Sequence, residues 1–142
     1  MNAYSTLVAA IATSLALVSP ALSQAPASIG GAALKSLALG KTWAISISGD
    51  PDNPDTTQLW DFRADGSVCA RAAGQLITEK CADEGKWSIR GDSICWELTW
   101  LGESYGYRSQ CSLVTKLKAD RFELRNEKTP TLRHAAFRVK SS

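Results

Sequence analysis

Several features that enzymes commonly use are missing from this sequence of 142 residues. It has one histidine, His134, so a metal site built from several imidazoles is excluded. It has no glycine-rich phosphate loop. A catalytic triad would need His134 beside a nucleophile and a carboxylate, but alternation places it on the polar side of a terminal strand, next to Arg133. We therefore expect no enzyme activity and no cofactor.

A strong charge of one sign is also missing, since the formal net charge is only +2. Residues 24–110 carry 8 basic and 11 acidic side chains, or −3, and residues 111–142 carry 8 basic and 3 acidic ones, or +5. The basic residues are not interleaved with aromatics, as single-stranded nucleic-acid binders require. We expect no nucleic-acid partner. The basic end is explained by a charged edge strand or by contact with an anionic polysaccharide or membrane face.

The first residues do not have the pattern of a folded domain. Met1 to Ser19 contains no charged side chain, and Leu7–Val18 is weakly apolar. The run Ala21-Leu22-Ser23 supplies small residues at both positions that a signal peptidase reads. We predict a signal peptide over residues 1–23, too short in its apolar core for a membrane anchor, and a secreted or periplasmic protein. Cleavage would leave 142 − 23 = 119 residues, enough for one domain.

An exported domain of this size commonly uses its cysteines in disulfides. The chain has four cysteines, all beyond the predicted signal: Cys69, Cys81, Cys95 and Cys111. Three connectivities are possible. The last two cysteines are equally distant from Glu103, and the first two from Gln75. If each pair lies in a hairpin, its two cysteines face each other, which favours the connectivity Cys69–Cys81 and Cys95–Cys111. Each bridge would add about 3 kcal/mol of stability. Zinc binding is the competing use, and no C-x-x-C spacing supports it.

Periodicity predicts a short helix followed by strands. Residues 24–40 form a lead-in and a helix that ends at Gly40, and residues 41–142 form the domain. Ala64-Asp65-Gly66 and Gly91-Asp92 are typical of hairpin turns. Apolar and polar residues alternate in eight segments, which cover residues 43–48, 60–62, 68–71, 87–89, 94–100, 106–115, 121–125 and 134–139. The pattern predicts an all-β fold, either a sandwich or a closed barrel. Short consecutive loops favour a single antiparallel up-and-down barrel of about eight strands.

The residues of this domain resemble a known superfamily. A short helix that enters Gly40-Lys41-Thr42-Trp43, followed by a β-meander, resembles the lipocalin-like (calycin) proteins, whose usual Gly-x-Trp signature is one residue shorter. The chain is most similar to an uncharacterised family of small exported proteins from rhizobia and related bacteria. That likeness includes Asp65-Gly66, Gly85-Lys86-Trp87-Ser88-Ile89, Ile94-Cys95-Trp96 and Cys111. It implies a barrel and an exported location, and it supplies no ligand.

Aromatic side chains are the candidate binding residues. An eight-stranded barrel either fills its interior with side chains or holds one small ligand there. The aromatics that could line such a cavity or its mouth are Trp43, Trp60, Trp87, Trp96, Trp100, Tyr105 and Tyr107. The first hypothesis is therefore an exported lipocalin-like protein that binds a small apolar or amphipathic ligand.

The alternative hypothesis is an inhibitor of a secreted or periplasmic hydrolase, such as a protease or lysozyme. Two segments are candidate inserts for the enzyme cleft, Gln24–Ser28 and Gly49–Asp55. The second also has oxygen ligands at calcium-loop spacing, but Pro54 occupies a ligand position and Asp55 the glycine position. We expect a rigid Asp/Pro turn there and no metal.

Overall fold

The structure, a computed structural model, describes residues 27–99 and 109–140. The predicted signal peptide therefore lies outside the described residues, as do Trp100, Tyr105 and Tyr107. One α-helix is described, α1 (Gly31–Ala38), and a short 3-10 helix covers Pro54–Thr56. The strands are β1 (Ser28–Ile29), β2 (Lys41–Ser46), β3 (Thr57–Phe62), β4 (Ser67–Arg71), β5 (Asp83–Arg90), β6 (Ser93–Glu97), β7 (Ser109–Lys118), β8 (Arg121–Asn126) and β9 (Arg133–Val139).

Strands β2 to β9 form a closed antiparallel barrel in which each strand pairs with its neighbours in the sequence. Closure is made by β9, whose Phe137 lies opposite Ile45 of β2. Short connections between consecutive strands produce this meander, and closure leaves no free edge between the eight strands. The predicted up-and-down barrel is confirmed. The added strand β1 pairs with β7, where Ile29 lies opposite Val114.

One predicted strand is shorter than its alternation suggested. The alternating series runs to residue 100, but β6 ends at Glu97. The backbone N–H of Thr99 donates to the Asp83 carboxylate at 3.0 Å. The N–H of Thr99 therefore bonds to a side chain and not to the backbone of a neighbouring strand, and the chain leaves the sheet at this point.

The barrel has two unlike ends. At one end, tight turns join β3 to β4, β5 to β6 and β7 to β8. Helix α1 packs at this end against β2, β5 and β6, and its Leu34 and Ala38 are fully buried. At the other end the described connections are longer: residues 47–56, 72–82 and 127–132. We call this the long-loop end.

Both predicted disulfides are present, Cys69–Cys81 and Cys95–Cys111. Cys95 and Cys111 lie directly opposite each other on β6 and β7, as hairpin symmetry predicts. Cys69 instead lies opposite Glu84 of β5, so its bridge to Cys81 closes the loop that precedes β5. The connectivity was predictable, whereas the position of Cys81 in a loop was not.

Within the described residues, no helix combines the length and the apolar character that a bilayer crossing requires.

Candidate functional site

The predicted ligand-binding tryptophans on β2, β3 and β6 lie in the core. Trp43 is fully buried, stacks on Phe137 with ring centroids 4.0 Å apart, and donates from Nε1 to the Leu37 carbonyl at 2.9 Å. Trp60 donates from Nε1 to Gln58 Oε1 at 2.8 Å. Its ring meets Trp96 edge-on at 5.3 Å. Burial of the rings and internal bonding of these two indole N–H groups are what a packing role requires.

Trp87 of β5 is partly buried against the same core. Its Nε1 donates to the Arg63 carbonyl at 2.9 Å, and its ring meets Phe62 edge-on at 5.4 Å. This indole therefore fastens the β3–β4 turn to β5. The remaining aromatics of the prediction, Trp100, Tyr105 and Tyr107, lie outside the described residues.

Side chains fill the described part of the barrel interior. A cavity toward the long-loop end, bordered by Trp60, Trp96 and Leu124, has a volume of about 10 Å³. A cavity needs about 10–15 Å³ to hold one water molecule. Ligand pockets usually measure about 300–1,000 Å³. Of the two alternatives, an interior filled by side chains and an interior that holds a small ligand, the geometry favours the first.

His134 lies at the mouth of this interior and is half-buried there. Its Nδ1 contacts the side-chain amide of Gln110, an interior position of β7. The register shift between β8 and β9 next to Leu124 accompanies this inward position, which strict alternation did not predict. Burial lowers the pKa of His134 below its usual 6.5, so the fold favours the neutral imidazole.

Ion pairs fix the Asp/Pro loop to the outer wall of the barrel. Asp52 pairs with Arg138 at 3.1 Å and with Arg121, and Asp50 lies 3.7 Å from Arg121. Two of the three carboxylates at calcium-loop spacing, Asp50 and Asp52, thus meet arginines of β8 and β9. The other predicted insert is described only from residue 27, and its Ser28 lies in β1.

Other carboxylates also lie on the outer wall in ion pairs. Asp61 pairs with Arg71 at 2.7 Å and accepts a hydrogen bond from the Thr42 hydroxyl at 2.6 Å. Glu123 pairs with Arg125 at 2.6 Å. These pairs join neighbouring strands or neighbouring positions of one strand, which is a structural use of charge.

The long-loop end presents large apolar side chains to solvent. Four of the six exposed large apolar residues among the described residues lie in its loops: Ile47, Leu76, Ile77 and Leu132. Leu76 is the most exposed of them at 66%, and Ile77 is 48% exposed. Single exposed apolar residues are ordinary, but adjacent exposed ones in one loop are typical of interaction sites.

The loop that carries Leu76 and Ile77 is held rigidly at its base. The Cys69–Cys81 disulfide closes it. Arg71, which is buried, donates from Nε to the Glu79 carbonyl at 2.7 Å. The N–H of Gly74 donates to the Pro54 carbonyl at 3.1 Å, which ties this loop to the Asp/Pro loop.

The apex of the same loop is a braced turn. The N–H of Glu79 donates to the Leu76 carbonyl at 3.1 Å, and the Glu79 carboxylate accepts from the N–H of Leu76. One residue earlier, Gln75 Oε1 accepts from the N–H of Ala72 at 2.6 Å. Reciprocal bonds of this kind fix a turn before it meets a partner. We call residues 72–80 the braced loop.

Sequence reasoning placed the inserts at Gln24–Ser28 and Gly49–Asp55 and missed the braced loop. The available signal was the pair Leu76-Ile77 in a polar segment, centred close to the midpoint of Cys69 and Cys81. The period-two alternation of apolar and polar residues identifies strands, so it does not identify an apolar pair in a loop.

No protein-family model, curated protein or solved structure matches this chain. The resemblance to the lipocalin-like superfamily and to the rhizobial family therefore stays a prediction.

Proposed function

We propose that this is an exported, non-catalytic protein that binds and inhibits a secreted or periplasmic hydrolase. The observation that carries the proposal is the braced loop, a disulfide-closed segment with Leu76 and Ile77 exposed at its apex. In this proposal, the two apolar side chains enter the cleft of the enzyme.

Rigidity supports this function because binding orders fewer groups when the contact loop is already fixed. The braced loop has its disulfide, the Glu79 turn and the bond from Arg71 before any partner arrives. A disulfide-closed, hydrogen-bonded loop with exposed apolar residues at its apex fits a concave active-site cleft that accepts an apolar side chain. Apolar anchors buried at the centre of an interface supply most of its binding energy.

Export is supported by the two disulfides, because such bonds persist in oxidising compartments. The predicted signal peptide over residues 1–23 agrees with this. The filled interior also favours a surface function, since the described core leaves a space of about 10 Å³ next to Trp60. A small ligand would therefore need a site on the outer wall.

The test is inhibition of a panel of secreted proteases and lysozymes by the mature protein in molar excess. Replacement of both apex residues, Leu76→Ser with Ile77→Ser, should raise the inhibition constant at least about 100-fold, since burial of each side chain contributes about 1.5–3 kcal/mol. Leu132→Ser is the matched control, because Leu132 is 57% exposed on another loop of the same end.

Two results would contradict the proposal. One is unchanged activity of every hydrolase on the panel. The other is inhibition that the double apex variant retains in full, which would move the contact away from the braced loop.

A further inference from the structure

A groove on the outer wall has the composition of a small-molecule site. Its volume is about 410 Å³, within the usual range of roughly 300–1,000 Å³ for ligand pockets. Ala44 and Leu59 are cross-strand partners on the outer face of β2 and β3, and they supply the barrel-wall side. Other apolar lining comes from the two neighbouring loops: Pro51, Pro54, Leu76 and Ile77.

The charged side chains of the groove leave one positive charge. Asp52, Arg138 and Lys140 line it, which gives 2 − 1 = +1. Asp52 is neutralised by its pairs with Arg138 at 3.1 Å and with Arg121, which does not line the groove. Lys140 makes no ion pair with any described residue, so its ammonium group is available to an anion.

We propose that this groove binds a single-chain amphiphile with an anionic head group, namely a medium-chain fatty carboxylate. The hydrocarbon chain lies on the apolar residues of the barrel wall and the braced loop. The carboxylate lies against Lys140, with Arg138 beside it.

The backbone around the groove selects a hydrocarbon chain over an extended peptide. Strand β2 is paired on both sides, with β3 and β9, and β3 is paired with β2 and β4. Their N–H and C=O groups are used within the closed barrel, so the wall offers no free edge to which a peptide strand could add. A hydrocarbon chain needs no hydrogen bonds, and it gains from burial of apolar surface alone.

This inference does not depend on hydrolase inhibition, although Leu76 and Ile77 take part in both. Lys140 separates the two functions, because it lines the groove and is not part of the braced loop. Lys140→Glu should leave any inhibition of a hydrolase unchanged.

The test is calorimetric titration of the mature protein with dodecanoate below its micellar concentration. Lys140→Glu should weaken dodecanoate binding about tenfold, as expected for reversal of one partly exposed charge at the head group. Lys128→Glu is the matched control, since Lys128 is exposed and does not line the groove. Dodecanol should bind about tenfold more weakly than dodecanoate to the unchanged protein.

A second measurement does not depend on any variant. Higher ionic strength should weaken dodecanoate binding and leave dodecanol binding unchanged, because salt screens exposed charges. Equal affinity for dodecanol and dodecanoate would overturn the proposal. So would equal losses in Lys140→Glu and Lys128→Glu, or displacement of dodecanoate by a peptide with an apolar carboxyl-terminal residue.

Discussion

At the scale of single residues, the tryptophans combine ring packing in the core with hydrogen bonds that fix neighbouring segments. Trp43, Trp60 and Trp87 each donate the indole N–H to a protein oxygen while the ring contacts other aromatics. An indole that makes both contacts fixes the position of a neighbouring segment. Trp43 fixes the end of α1 in this way, because its indole N–H donates to the Leu37 carbonyl. Abundance of tryptophan alone does not distinguish this use from ligand binding, because both place the ring toward the interior.

His134 should make stability depend on pH. Burial lowers its pKa in the folded protein, so the unfolded chain, with a pKa near 6.5, takes up a proton first as the pH falls. The free energy of unfolding should therefore fall as the pH decreases from about 6.5 toward the folded-state pKa, and it should level off on both sides of that window.

Urea denaturation of the protein and of His134→Gln over this pH range measures the effect. The difference between their free energies of unfolding should change with pH only inside the window. A constant difference would show that burial does not perturb this imidazole.

At the scale of elements, the two disulfides have different structural uses. Cys95–Cys111 joins facing positions of two barrel strands, whereas Cys69–Cys81 closes the braced loop. Their sequence separations, 16 and 12 residues, are similar, so their effects on chain entropy should also be similar. This similarity makes each bridge a control for the other.

Removal of either bridge should lower the free energy of unfolding by about 3 kcal/mol. Only the double variant Cys69→Ala with Cys81→Ala should also raise the inhibition constant for the target hydrolase, because it frees the base of the braced loop. Denaturation and inhibition assays measured on both double variants test this. Equal loss of inhibition in the two variants would assign the effect to general destabilisation.

At the scale of the whole molecule, the barrel separates a packed interior from an outer surface that carries the candidate binding features. Its interior is packed with side chains, which include Trp43, Phe62 and Phe137, all fully buried. Its long-loop end carries four of the six exposed large apolar residues described, and its outer wall carries the groove. A small domain needs its apolar contacts for stability, which agrees with the two proposed binding sites being on the surface.

Trp60→Ala should test whether the interior is filled. Loss of the ring should cost about 3–5 kcal/mol and leave a cavity that binds indole, which would raise the melting temperature of the variant. The unchanged protein should show no such rise. A similar rise in both proteins would mean that the barrel already holds ligand space.

Prediction from sequence succeeded where one local pattern determines the structure. Period-two alternation predicted the strands, and short turns such as Ala64-Asp65-Gly66 predicted that consecutive strands pair. Alternation failed at Thr99, where the Asp83 carboxylate binds the backbone, and at His134, where a register shift turns the side chain inward. Both failures come from contacts between residues distant in sequence.

The sequence by itself determined the barrel, its meander order and the connectivity of its disulfides, because alternation, turn chemistry and cysteine spacing act over a few residues. Only the tertiary structure decided that the described interior is filled, that the Asp/Pro loop is fixed by Arg121 and Arg138, and that Leu76 and Ile77 are exposed on a braced loop. Volume, ion pairing across strands and exposure depend on barrel closure, which brings together residues that no local pattern relates.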